Sequence, residues 1–456
     1  MSRISDWVIY SVEAKLIQQV VAEYGPSTKL GAIVGGQTSC KAPELAAFEK
    51  YLPDDVEIVS CHSLHGPSVD PKGQPLVVIQ HRAKQESVDL VTEILSCLKS
   101  KIVYLSGDMH DRITADTQAV THAAFLSMGS AWAANQQFPW AIPRYIGGIE
   151  NVKINITLRI YSSKWHVYAG LAILNPAARR QIRQYAESVT ELFKLMLGGH
   201  REELERRVKT AAAAVFSKDA RSQDLLLRDD VLDRFSLSQT PQERTPNNHL
   251  SLLAIVDCWW KLGIVPYDHM ICSTPVSEKS VHSRRCVNVK QLFRIWLGVT
   301  EYLFRNEDLL DEVINTAIED NTFRSDDLEF TFAARVSGNL FLFLAALKKI
   351  YLSNLAQKTI LSPAIFGLLA KCDRGFFSKL PSFPQLTRIQ ASFFAVNDPT
   401  EILQAWSDCV SFGAFEPYRD RFEKIQQYFA PRFPEAVRVG NEMIETILAN
   451  TTNSAT

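Results

Sequence analysis

The stretch Ile58-Val59-Ser60-Cys61-His62-Ser63-Leu64-His65-Gly66-Pro67 decides how this chain is read. An apolar, strand-like run carries a histidine to its exit, and a Gly-Pro turn follows at once. A histidine at the carboxyl end of a sheet strand sits where open α/β sheets hold their ligands. Its unperturbed pKa lets it exchange protons near neutral pH. The plainer alternative is a loop histidine bonded to a turn carbonyl.

Around that strand the first hundred residues alternate strand and helix. Trp7–Tyr10, Leu30–Val34, Val56–Ser60, Leu76–Gln80 and Ile102–Leu105 read as strands. Ala14–Glu23, Pro43–Tyr51 and Gln85–Leu98 read as helices, and Gly35–Ser39 as a turn. Strands separated by helices of this length predict a parallel, doubly wound sheet. After Asp108 the pattern turns helical. The best-marked helix opens at Asn175-Pro176 and stops at Gly198-Gly199, with Ile182, Tyr185, Val189, Phe193 and Met196 on one face. Leu250–Leu262 is a second strongly apolar helix, and the polar stretch 220–248 reads as a connector. The expected architecture is therefore α/β plus all-α. A partial Rossmann-type sheet spans residues 1–108, and a helical substrate and dimerisation domain spans 109–456.

Composition narrows the function. The chain has 456 residues, 46% hydrophobic, with a formal charge of −1, so no global field draws it to nucleic acid or an anionic membrane. Its eight cysteines include no Cys-x-x-Cys pair and no Cys/His cluster at zinc spacing, so no metal site is expected and reduced thiols in a cytoplasmic protein are. No secretory signal opens the chain. Its most apolar run, Leu340–Leu347, is far shorter than the roughly 20 residues of a membrane helix.

Four further groups bear on chemistry. The turn Gly35-Gly36-Gln37-Thr38-Ser39 precedes a helix, where backbone N–H groups favour anions and Ser39 can donate to a ligand; an ordinary capped turn is the alternative. Gln118 and His122, four apart, share a face of an apolar helix as a site wall, unless His122 is simply a satisfied buried histidine. Arg159, among apolar residues, calls for an anionic partner: a substrate carboxylate held in two-point fashion, or a structural acid. Tyr168, nine residues on, is expected on the same side of the site. Together these suit a small anionic substrate beside a dinucleotide.

Several blocks then point to a family. Ser11-Val12-Glu13-Ala14, Val34–Cys40, His62-Ser63-Leu64-His65-Gly66-Pro67, Thr117–Phe125 and Lys164–Gly170 resemble the prephenate dehydrogenase family, most closely its fungal NADP-dependent branch. The likeness covers Ser5–Pro275, Leu292–Arg335 and Ala405 to about Leu448. It implies NADP-dependent oxidative decarboxylation of prephenate to 4-hydroxyphenylpyruvate in tyrosine synthesis, by a homodimer. It also implies His62 as the catalytic base and Ser39 beside the nicotinamide and the reacting hydroxyl. Arg159 then binds a substrate carboxylate, and His122, Gln118 and Tyr168 line the substrate pocket. Ser11, Gly36, Gln37 and Ser39 fall on the cofactor side. The pattern at His62–His65 departs from the His-Pro-Met-Phe of bacterial members and leaves the role of His65 open. Arogenate oxidation, and a non-catalytic helical module, are the competing readings.

The chain also departs from the family pattern. No Gly-x-Gly-x-x-Gly turn occurs in it, and Met1 falls just before what would be the fourth sheet strand. The expectation is a truncated chain that binds dinucleotide poorly and exposes Trp7–Tyr10 as an apolar edge. Two stretches, 276–291 and 336–404, interrupt the resemblance. Both begin Val-Ser and end in Gln, as retained introns would; lineage-specific loops are the alternative.

Overall fold

The strands β1 (Trp7–Tyr10), β2 (Ile33–Gly36), β3 (Glu57–Ser63), β4 (Pro75–Arg82) and β5 (Lys101–Tyr104) form one sheet in the order β1-β2-β3-β4-β5. This computed structural model describes residues 2–64, 70–134, 149–216, 248–266, 291–319 and 399–434. The β1–β2, β2–β3 and β4–β5 pairs are parallel, as the alternation of strand and helix predicts. The β3–β4 pair is antiparallel, which corrects the expectation of a wholly parallel sheet. The reason lies in the connection: β3 and β4 are joined by a short, Pro- and Gly-rich segment, too short to carry a crossover helix. Among the described residues β1 is an edge strand, with Ile9 exposed.

Helices cover both faces. On one face α1 (Ile17–Tyr24) and α2 (Lys41–Tyr51) bring Ile17, Val21, Leu45 and Phe48 against Tyr10, Val34 and Ile58. On the other, α3 (Gln85–Leu95) brings Val88, Val91 and Leu95 against Ile33, Val59, Cys61, Leu76 and Val78. Each buried side chain of this size contributes about 1.5–3 kcal/mol. The period-2 alternation of β3 puts Val59 and Cys61 toward α3, and Ile58, Ser60 and His62 toward the opposite face.

Two boundaries differ from expectation. Strand β2 starts at Ile33 rather than Leu30, because Gly31 turns with φ +65° and its N–H donates to Asp55 Oδ2 at 2.6 Å. Strand β3 runs on to Ser63, so His62 is not at the strand exit. It pairs with Val77 of β4 and is only 7% exposed, so the loop-histidine reading does not hold.

Helix α4 (Gly107–Thr114) leads without interruption through a π-helical turn, Ala115–Ala119, into α5 (Val120–Ala134). Then come α6 (Ile149–Tyr161), α7 (Trp165–Leu174), α8 (Pro176–Gly198), α9 (Arg201–Val215), α10 (Leu250–Leu262), α11 (Gln291–Arg305), α12 (Glu307–Glu319), α13 (Pro399–Ser411) and α14 (Phe415–Phe429). The expected ends of α8 are met: Asn175 caps it through Oδ1, and Gly199 ends it at φ +67°. Tyr185 and Val189 are buried in the helical core with Trp259 of α10, while Phe193 is half-buried. Among the described residues no helix is long and apolar enough to cross a membrane.

Met1–Ile318 with Pro399–Thr456 make one compact unit, to which everything above belongs. The second unit, Glu319–Asp398, lies outside the described residues except for Glu319. His65, the connector 220–247, most of 276–291 and residues 336–398 also lie outside them. The last residues of the second interrupting stretch, Pro399–Gln404, form one continuous helix with Ala405 onward.

Candidate active site

A chain of three side chains forms where α4 crosses the sheet. His62 Nδ1 lies 2.8 Å from His110 Nε2, and His110 Nδ1 lies 2.9 Å from Asp111 Oδ1. All three are buried. The Asp111 carboxylate also accepts the first N–H groups of α2: Lys41 N at 2.7 Å on Oδ1 and Ala42 N at 2.8 Å on Oδ2. Helix α2 has no side-chain cap of its own, so this distant carboxylate satisfies its open N-terminus. That is also why α2 begins at Lys41, two residues before the Pro43 that marked its start in the sequence. Burial raises the Asp111 pKa, but the His110 contact and the two amides outweigh it and hold the carboxyl below its usual range.

Beneath the turn after β2 sits a fully buried ion pair. Lys41 Nζ lies 2.8 Å from Glu44 Oε1 and donates to Gly36 O, Ser60 Oγ and Cys61 O. Glu44 Oε2 accepts from Thr38 N at 3.0 Å and Thr38 Oγ1 at 2.6 Å. A buried charge pair persists only when such bonds satisfy its remaining donors and acceptors. Gly36 leaves the space this needs, since a Cβ there would lie 2.2 Å from Glu44 Oε2.

The sequence-predicted cofactor residues line the carboxyl edge of β1 and β2. Tyr10 pairs with Gly36, Gln37 N donates to Tyr10 O at 3.1 Å, and Ser11 follows next on β1. The Gln37 side chain is committed to structure: Nε2 donates to Cys61 Sγ and Oε1 accepts from Ser63 N at 3.1 Å. It ties the turn to the strand that carries His62. Ser11 is exposed and Ser39 partly exposed, so they are the polar side chains this edge presents. A tight turn with glycine at its start and open hydroxyls above suits the nicotinamide end of a dinucleotide.

The substrate-side residues gather on the helices. His122 and Tyr168 meet edge to face, with ring centroids 4.7 Å apart. They line a small apolar pocket with Leu126, Ile182, Trp406 and Tyr418. Gln118 is buried but is not among the lining residues; the π turn at Ala115–Ala119 widens the helix and shifts the phase that a four-residue spacing assumes. Arg159 stands on α6, partly buried, and forms no ion pair among the described residues; its positive charge reaches the buried Tyr168 hydroxyl. Helix α7 joins this group to the sheet edge: His166 Nδ1 is 2.7 Å from Glu13 Oε1, just after β1, and a Cβ on Gly170 would touch Ala14 at 3.5 Å. The links between the His62 group and the Tyr168 group thus run through β1, β2 and α7.

The sequence has close relatives. It is 51% identical over 453 residues to the probable prephenate dehydrogenase [NADP(+)] of Schizosaccharomyces pombe, covering 99% of this chain and 85% of that protein. It is 46% identical over 462 residues to the prephenate dehydrogenase [NADP(+)] of Saccharomyces cerevisiae, covering 99% and 83%. The chain belongs to the prephenate dehydrogenase family.

A family profile described as a 6-phosphogluconate dehydrogenase C-terminal domain matches residues 119–345 and 396–449, which include α5 to α12 and α13 to α14. A solved prephenate dehydrogenase from A. aeolicus, in complex with hydroxyphenyl propionate and NAD+, superposes with a TM-score of 0.38 at 17% identity, over 48% of this chain and 77% of that one. Within this family setting, reasoning from sequence missed His110, Asp111, Lys41 and Glu44. His110 and Asp111 open the same stretch that supplied Gln118 and His122. Their adjacency to His62 is a tertiary fact, and the one local sign was the buried polar pair at the start of an otherwise apolar helix.

Proposed function

We propose that this chain oxidises prephenate to 4-hydroxyphenylpyruvate with loss of CO2, with NADP+ as the hydride acceptor, in the formation of tyrosine. The observation that carries the reading is a buried imidazole, His62, at the carboxyl end of β3 in a chain half identical to proteins named for that reaction. Bound NADP+ supplies the hydride acceptor at the β1–β2 edge, where Ser11, Gly36 and Ser39 would hold the nicotinamide end.

His62 accepts a hydrogen bond from the ring hydroxyl of the substrate. As hydride leaves the carbon that bears it, positive charge grows on the C–OH group and its proton shifts toward the imidazole. The C–CO2 bond then breaks, and its electron pair closes the aromatic ring. The proton returns to the ring oxygen, so the product is a phenol and no net proton is released. Arg159 binds a substrate carboxylate through its guanidinium, and His122 and Tyr168 bound the pocket on the helical side. Ser39 positions the reacting hydroxyl and the nicotinamide.

The same reading assigns residues 1–108 to the dinucleotide and 109–456 to substrate binding and dimerisation, in a cytoplasmic homodimer. Sedimentation of the purified chain at micromolar concentration tests the dimer; a single monomer species rules it out. The activity is tested by following NADPH formation with prephenate and then with arogenate. Turnover with prephenate, abolished in His62→Asn, is the expected result. Turnover confined to arogenate would replace the substrate, and full activity in His62→Asn would remove the base.

A further inference from the structure

Both nitrogens of His110 are engaged, one by an acid and one by the proposed base. Asp111 is held ionised by two backbone N–H groups and by His110 itself. A carboxylate only accepts, so His110 Nδ1 carries the proton it shares with Asp111 Oδ1 at 2.9 Å. In a neutral His110 the other nitrogen, Nε2, is then an acceptor. The 2.8 Å contact to His62 Nδ1 therefore requires a proton on His62 Nδ1. His62 Nε2 is left in the unprotonated, basic form.

We propose that His110 and Asp111 are positioning residues that lock His62 in its Nδ1–H tautomer and so make Nε2 the nitrogen that takes the substrate's proton. The proposal rests on His62 being the base of the reaction. The logic is that of a carboxylate orienting a catalytic imidazole, extended by one further ring. When Nε2 takes the proton, the imidazolium keeps donating through Nδ1 to His110, whose own N–H faces a carboxylate. No atom need move, since all three groups are buried and the carboxylate is pinned to the start of α2. The opposite assignment, a cationic His110 donating to His62 Nδ1, leaves Nε2 protonated and His62 unable to act as a base. The other charged groups on this side of β3 are Lys41 and Glu44 of α2, which compensate each other at 2.8 Å; neighbouring β4 presents Val77 beside His62.

The test has two arms on the full chain. In the first, 15N-labelled histidine is read by long-range NMR correlation. His62 is expected with a protonated Nδ1 and a bare Nε2 in the parent protein, shifting toward the Nε2–H form in His110→Phe. A bare Nδ1 in the parent, or a tautomer indifferent to His110, overturns the proposal whatever the activity. In the second, His110→Phe and Asp111→Asn are each expected to lower kcat about 10–100-fold with KM for prephenate within about twofold. The rising limb of kcat/KM against pH moves to lower pH, because the imidazolium of His62 loses its support. Two variants guard against misfolding, since only Asp111 also caps α2. Unchanged kcat and pH profile in both variants, where His62→Asn is inactive, overturn the relay and leave the base assignment intact. Full turnover in His62→Asn removes the base, and the catalytic role of the relay with it.

Discussion

Asn175 Nδ2 donates to the backbone carbonyl of Asp111 at 2.7 Å, while its Oδ1 accepts from Ala177 N at 3.0 Å and Ala178 N at 3.4 Å. One fully buried amide thus starts α8 and fastens it to α4, the helix that carries His110. Asn175→Ala is expected to lower the unfolding free energy by about 1–3 kcal/mol, from the lost cap and the lost bond to Asp111. Urea midpoints measure this. A loss under about 0.5 kcal/mol would mean water replaces the amide without cost and the tie to α4 is incidental.

Gly36 offers a second test, because its neighbour cannot yield. A methyl at this position meets the Glu44 carboxylate at 2.2 Å, and that carboxylate is held by Lys41, Thr38 and Ser60. Gly36→Ala should cost about 1–3 kcal/mol and raise KM for NADP, since the turn that carries Ser39 must shift. Gly170→Ala is the control. Its methyl finds only Ala14 at 3.5 Å, an ordinary contact, and is expected to be neutral or mildly stabilising. Equal effects from the two substitutions would count against the close packing at Gly36.

These two cases show why some features were legible in the sequence and others were not. The caps of α8, the span of α10 and the five strands announce themselves locally, through Asn-Pro, Gly-Gly and apolar runs. His62 was legible because a strand pattern ends beside it. The antiparallel β3–β4 pair was not, since period-2 alternation carries no direction, and the connection length was the only clue. The cap of α2 was hidden because its acceptor, Asp111, lies 70 residues away in the chain. Gln118 was misjudged for a different reason: a four-residue spacing presumes a regular helix, and the π turn breaks that regularity.

Acidification should expose the linkage of Asp111. Its folded pKa lies below the ordinary 3.8, so it contributes stability above that value and loses it as pH falls through the lowered one. The stability gap between the parent chain and Asp111→Asn should therefore be full near pH 6 and narrow below about pH 4. Urea midpoints from pH 6 down to pH 3 give the comparison. A gap that stays constant over that range would mean that Asp111 has no depressed pKa in the folded chain.

Arg159 separates binding from folding. It sits partly buried on α6 with no ion pair among the described residues, so its removal leaves no carboxylate stranded there. If its partner is a substrate carboxylate, Arg159→Gln should raise KM for prephenate about 10–100-fold, the cost of one charge-assisted pair. The unfolding free energy should change by less than about 0.5 kcal/mol. Added salt should raise KM of the parent enzyme more than that of the variant, because screening acts on the charge that the variant lacks. A stability loss of several kcal/mol with KM unchanged would instead assign Arg159 to the scaffold, and the substrate carboxylate would need another cation.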